Sequence, residues 1–140
     1  MIRLHELYET EDTLYLTMDL IQGASLKDLL STHIIDDDLS EQQIQYIFYC
    51  ILECAFSLAS QRFKHRDLKP ENILIQPKGD IKLIDLGLTT YMNLPEDLLR
   101  VSGSPGYIAP EAFDFNEKEP CARYDHRCEV FSAGCILYEM

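Results

Sequence analysis

The chain has 140 residues, 46% apolar and 26% charged, the make-up of a soluble globular domain with enough length for a sizeable core. With 24 acidic against 12 basic side chains its formal charge is -12, which repels polyanions and argues against a nucleic-acid partner. Glu6, Glu9, Glu11, Asp12 and Asp19 argue against a signal peptide, and the longest apolar stretch, residues 44–59, is too short and too polar to span a bilayer. No membrane partner is therefore expected.

In chain order, Arg3–Tyr8 and Thr13–Met18 read as two short strands joined by the acidic turn Glu9–Asp12. Gly23 marks a turn, and Ser25 with Asp28 has the S-x-x-D spacing that caps a short helix. Asp36, Asp37 and Asp38 read as a solvated loop. Ser40 and Gln43 form a capping box before a helix from about Glu41 to Gln61, with apolar residues at 44, 47, 48, 51, 52, 55, 56, 58 and 59. So wide a stripe predicts a buried helix. Then comes the polar loop "FKHRDLKPENILI" (63–75), followed by the hairpin "ILIQPKGDIKLI" with its turn at Pro77–Asp80. Residues 85–111 read as a long irregular segment of the kind that carries function or moves. Residues 129–140 are apolar at helical spacing. The five cysteines, Cys50, Cys54, Cys121, Cys128 and Cys135, form no C-x-x-C pair, so reduced thiols are expected rather than zinc ligands, in the cytoplasm or nucleus.

A packed core has no use for the run of polar groups in the loop, but phosphoryl transfer does. Asp67, Lys69, Asn72 and Asp85 converge if the hairpin folds Asp85 back beside the loop. One carboxylate then accepts a hydroxyl proton, another joins an amide oxygen in holding magnesium, and the ammonium offsets charge on the moving phosphate. Two carboxylates about 4 Å apart repel by roughly 4 kcal/mol at an effective dielectric of 20, a cost that a divalent cation reverses.

In order, "HRDLKPEN" (65–72), "DLG" (85–87) and "GSPGYIAPE" (103–111) resemble three signatures of eukaryotic protein kinases of the serine/threonine type. The resemblance covers the whole chain. It implies a partial two-lobed α+β fold, with residues 1–22 ending the small lobe and hinge and residues 23–140 beginning the large lobe, through the catalytic loop and activation segment. It implies ATP and Mg2+, and a protein substrate presenting Ser or Thr. Asp67 would accept the hydroxyl proton, Lys69 would contact the transferred phosphate, and Asn72 and Asp85 would bind magnesium. Backbone groups from Asp19 to Ile21 would meet adenine, with Met18 behind it and Leu26 and Leu74 over its other face. Arg66 would bind an anion of the activation segment, and Ser104 stands where the family usually has Thr.

The departures from the family pattern carry further expectations. Leu86 replaces Phe but stays apolar, so its packing on His65 can survive. Glu129 replaces the Asp that ties the central helix to the catalytic loop, and its extra methylene can shift that contact. Arg100 stands where a phosphorylated Thr often sits, so Arg66 needs Glu96, Asp97 or a phosphorylated Ser102 instead. Glu71 and Glu139 fall where basic-directed kinases face arginines just before the target residue, or they stand as solvated charges; Ser25 replaces a third acid. No glycine-rich loop, nucleotide-binding strand Lys or Arg partner for Glu111 occurs in these 140 residues, so residues 1–140 alone are expected to be inactive. A kinase-like binding module without activity is the alternative, and a small-molecule kinase is disfavoured by Lys69 and "SPGYIAPE".

Overall fold

The computed structural model describes residues 1–32, 39–92, 101–113 and 126–140. The acidic loop at 36–38, together with Glu96, Asp97, Arg100 and Cys121, lies outside the described residues. The strands are β1 (Leu4–Glu9), β2 (Leu14–Met18), β3 (Ala24–Ser25), β4 (Phe63–Lys64), β5 (Ile73–Ile75), β6 (Ile81–Leu83) and β7 (Thr90–Tyr91). The helices are α1 (Leu26–Thr32), α2 (Glu41–Ser60) and α3 (Arg127–Glu139), and 3-10 turns cover Pro70–Asn72 and Pro110–Ala112. The strands form three small antiparallel sheets, β1–β2, β3–β5–β6 and β4–β7.

Local signals place most of these elements. Thr10 closes the β1–β2 turn through its backbone and hydroxyl, both bonded to Thr13. Ser25 and Asp28 bond reciprocally at the start of α1, at 3.1 and 3.0 Å. Ser40 and Gln43 do the same for α2, with Ser40 N donating to Gln43 Oε1 at 2.9 Å and Gln43 N to Ser40 Oγ at 3.4 Å. These pairs satisfy backbone donors that have no partner inside the helix. The β5–β6 turn closes through Gly79 N to Gln76 O and Gln76 N to Asp80 O.

The core lies where α2, α3 and the β5–β6 hairpin meet, around Ile47, Ile51, Leu58, Ile73, Leu83 and Ile136. Only part of the expected α2 stripe is buried, since Ile47, Ile51 and Leu58 are inside while Phe56 is 70% exposed. Phe56 instead lines a cavity with Leu52, Ala59 and Val130 of α3. The β1–β2 hairpin is exposed throughout and is tied to the rest by Ile2 N donating to Leu83 O at 3.2 Å. No helix among the described residues is long and apolar enough to cross a membrane.

The sequence pattern missed the pairing of β4 with β7. Two-residue strands are too short for an alternation to show. Phe63 pairs with Tyr91, their rings edge to face at 5.5 Å, and Lys64 pairs with Thr90. Through this pairing the irregular segment returns to the start of the polar loop.

Two glycines should respond in opposite ways to alanine. A Cβ on Gly23 would lie 2.3 Å from the carbonyl oxygen of Ile75, where β3 meets β5, whereas one on Gly134 in α3 would meet nothing within 4 Å. Gly23→Ala should lower the unfolding free energy by about 1–3 kcal/mol, the usual cost of overpacking. Gly134→Ala should raise it by up to about 1 kcal/mol through helix propensity. Urea titration of both variants checks the two signs.

Candidate active site

The polar loop enters from β4 and leaves through the 3-10 turn at Pro70–Asn72, and its side chains turn inward. His65 has no exposed surface, Asp67 is 7% exposed and Asn72 5%. His65 Nε2 lies 3.0 Å from Ile84 O, and Asp67 N donates to His65 Nδ1 at 3.3 Å. This assigns the imidazole proton to Nε2, since Nδ1 is the acceptor. The Asp67 carboxylate sits in a closed set of bonds. Lys69 Nζ is 2.8 Å from Oδ2, Ser104 Oγ donates to Oδ1 at 2.8 Å, and Lys69 Nζ donates to Ser104 Oγ at 2.7 Å. Asn72 Nδ2 donates to Asp67 O at 2.9 Å and to Oδ2 at 3.2 Å. Burial pushes the Asp67 pKa up, but the bonds from Lys69, Ser104 and Asn72 outweigh it and hold the carboxyl below its ordinary value. The hydrogen bond to Asp67 raises the Lys69 pKa against desolvation, so both groups stay charged.

Ile84 brings Asp85 to this loop. Its N–H donates to Asn72 O at 2.9 Å while its carbonyl accepts His65, so the residue after it emerges beside Asn72. Asp85 is exposed in the left-handed region at φ 59°, with Gly87 N donating to its Oδ1 at 3.2 Å. The predicted convergence of Asp67, Lys69 and Asn72 is direct, and Asp85 joins them at the rim. Asn72 Oδ1 carries no hydrogen bond within the described residues, since its amide bonds run through Nδ2. One free amide oxygen and one exposed carboxylate are hard ligands that fit magnesium, which keeps several waters and takes few protein ligands. Among the described residues no group of three or more His, Cys, Asp or Glu could hold a metal by itself. The donor set therefore suits a cation whose remaining ligands come from phosphate and water.

Close approach of the 101–111 segment supplies Ser104. Gly103, at φ 120°, lies so near the loop that a Cβ there would be 2.8 Å from Arg66 O. α3 holds the segment from below, with Ser132 Oγ donating to Tyr107 O at 2.7 Å and Tyr107 OH to Glu139 Oε1 at 2.5 Å. Burial and Glu139 raise the Tyr107 pKa, so the phenol stays a donor. These anchors escaped the sequence reading, although a lone Ser132 in an apolar helical run was a signal.

Glu129 keeps the loop contact despite its extra length, with Oε1 accepting Arg66 N at 2.8 Å. Arg66 adopts the left-handed region at φ 68°. The longer side chain leaves Oε2 buried without a hydrogen-bond partner, and burial raises the Glu129 pKa. Ser102 corrects an expectation. Its Oγ is buried and unbonded, so this conformation does not present it for phosphorylation. Glu111 is half-buried and accepts Cys128 Sγ at 3.6 Å.

On the nucleotide side, Met18 lines a cleft of about 320 Å³ with Leu16, Leu86 and Asp85. The cleft therefore joins the expected base site to the expected metal site. Leu86 is 40% exposed in it. Arg3 N and His5 Nε2 engage the Asp19 side chain, while no backbone hydrogen bond engages Ile21 among the described residues. Leu74 is half-buried on β5. Leu26 is corrected. It has no exposed surface and belongs to the core, so it offers no face to a base.

A family model described as "Protein kinase domain" matches residues 1–140. Serine/threonine-protein kinase cds1 of Schizosaccharomyces pombe is 33% identical over 141 residues, covering 100% of this chain and 30% of that protein. The phosphorylase b kinase gamma catalytic chain, liver/testis isoform, of Mus musculus is 32% identical over 140 residues, covering 100% and 34%. Serine/threonine-protein kinase 36 of Pongo abelii is 34% identical over 143 residues, covering 100% and 10%. The chain thus spans about a third or less of the length of these relatives.

The two buried carboxylates should titrate with opposite effects on stability. Asp67, lowered on folding, contributes stability that is present above the unfolded value of about 3.9 and lost as pH falls through the lower native value. Glu129, raised on folding, costs stability as pH rises from its unfolded value of about 4.3 through the higher native one. Asp67→Asn should flatten the acid limb of the stability curve. Glu129→Gln, which keeps an oxygen for Arg66 N, should remove the loss toward neutral pH. Urea unfolding from about pH 3 to 8 tests both signs.

Proposed function

Because this chain belongs to the protein kinase family and two of the relatives above carry serine/threonine kinase names, we propose that it holds the phosphoryl-transfer loop of a serine/threonine protein kinase. Its strands and helices form part of that family's α+β fold. In this reading residues 1–22 are the end of the small lobe and hinge, and residues 23–140 begin the large lobe. ATP and a protein Ser or Thr are the substrates, and the cytoplasm or nucleus is the compartment.

The observation that supports this most is the bonded set of Asp67, Lys69, Ser104 and Asn72, with Asp85 delivered beside it. Asp67 stays ionised at neutral pH and can take the proton from a substrate hydroxyl as it attacks phosphorus. The Lys69 ammonium holds Asp67 in place and faces the charge on the transferred phosphoryl group. Ser104 bridges the two, so the segment expected to contact the protein substrate is bonded to the loop that handles the proton. Asn72 Oδ1 and the Asp85 carboxylate would hold magnesium, which when bound neutralises phosphate charge. Met18 and the free backbone of Ile21 would receive adenine. A kinase-like binding module without transfer is the second reading.

Asp67→Asn in the full-length protein carrying this chain should lower phosphoryl transfer to Ser/Thr peptides at least about a hundredfold. Nucleotide affinity should hold, because Asp67 would meet the hydroxyl and not the metal. Asp85→Asn should instead weaken magnesium-dependent nucleotide binding. Near-wild-type turnover in Asp67→Asn would remove the assigned role, and nucleotide binding without any transfer by the wild type would favour the binding module.

A further inference from the structure

β1 does not pair evenly with β2. Leu4 stands opposite Met18 and Glu6 opposite Thr17, which leaves His5 as an extra residue bulged out of the ladder. A bulge bends its strand and re-aims the side chain it carries. His5 accordingly meets Asp19, the first residue past β2, with Nε2 2.8 Å from Oδ1. A carboxylate only accepts, so His5 carries a proton on Nε2. The second carboxylate oxygen, Oδ2, accepts Arg3 N at 3.2 Å.

This last bond displaces another. Asp19 N donates to Arg3 O at 3.0 Å, which is half of the two-bond exchange of an antiparallel pair. The other half would run from Arg3 N to the Asp19 carbonyl. Here the Asp19 carboxylate takes that N–H, and among the described residues no backbone donor bonds the carbonyl. The carbonyl opens the unpaired run 19–22, next to Met18 in the cleft that leads to Asp85. We propose that His5 is a positioning residue for the nucleotide: by holding the Asp19 carboxylate on Arg3 N, it keeps the Asp19 carbonyl open to the exocyclic amine of adenine. Without His5 the carboxylate turns to water, Arg3 N pairs with the carbonyl, and the ladder closes over the acceptor. The proposal rests on the kinase reading above, in which residues 19–21 meet adenine, and adds a residue outside that run that makes it read the amine.

The test is calorimetric titration of the full-length protein carrying this chain, with magnesium, against ATP and against purine riboside triphosphate, which lacks only that amine. Wild type should prefer ATP about three- to tenfold, the range of one neutral hydrogen bond. His5→Leu should cut the preference below about twofold by weakening ATP alone. His5→Gln, which still offers an N–H to Asp19, should restore it. Asp19→Ala should match His5→Leu, and the double variant should lose nothing more, since both act through one contact. If wild type binds both nucleotides equally, or His5→Leu leaves the ratio unchanged or weakens both alike, the proposal is overturned while the kinase reading stands. If no form binds either nucleotide, both are overturned.

Discussion

The carboxylate of Asp67 is charged at 7% exposure, and the groups that compensate it come from separate parts of the chain. Lys69 and Asn72 are local to its loop, while Ser104 arrives from 37 residues away. A buried charge left without its partner costs roughly 3–5 kcal/mol, comparable with the stability of a small domain. The 101–104 segment is therefore held by electrostatics more than by apolar contact. Gly103 makes this possible, because any Cβ there would strike the Arg66 carbonyl before Ser104 could reach Asp67.

The same loop carries backbone strain that its surroundings hold in place. Arg66 and Asp85 both adopt left-handed conformations without being glycine, each costing on the order of 1–3 kcal/mol. Glu129 holds the Arg66 amide, and His65 with Asn72 holds Ile84, the residue before Asp85. These clamps come from α3 and from the loop itself. The core of α2, α3 and the β5–β6 hairpin fixes their spacing and takes in Leu68 of the loop itself, so burial of Ile51 or Ile136 also reaches the site through packing.

Glu129 shows how one methylene redistributes such a clamp. Its first oxygen keeps the amide of Arg66, and its second remains buried and unbonded. The contact survives because an extended helix side chain can still reach a fixed backbone donor. The cost moves to desolvation, which raises its pKa. Position is preserved while the charge becomes harder to keep.

By itself, the sequence determined whatever depends on short spacings. The caps Ser25–Asp28 and Ser40–Gln43, the span of α2, the β5–β6 hairpin and the order of Asp67, Lys69, Asn72 and Asp85 were legible because each involves residues a few positions apart, or a period along one element. Tertiary structure decided which of those side chains keep a free face. Leu26 lies next to the chain's turn into α1 and reads as a ligand contact, yet the core takes all of its surface. Ser102 reads as a phosphate acceptor, yet its hydroxyl is inside. The β4–β7 pairing and the Lys27–Glu139–Tyr107 contacts join residues 26 to 112 positions apart. No local pattern encodes them, because the distance between such residues is set only when α2 and α3 pack and carry the loops with them.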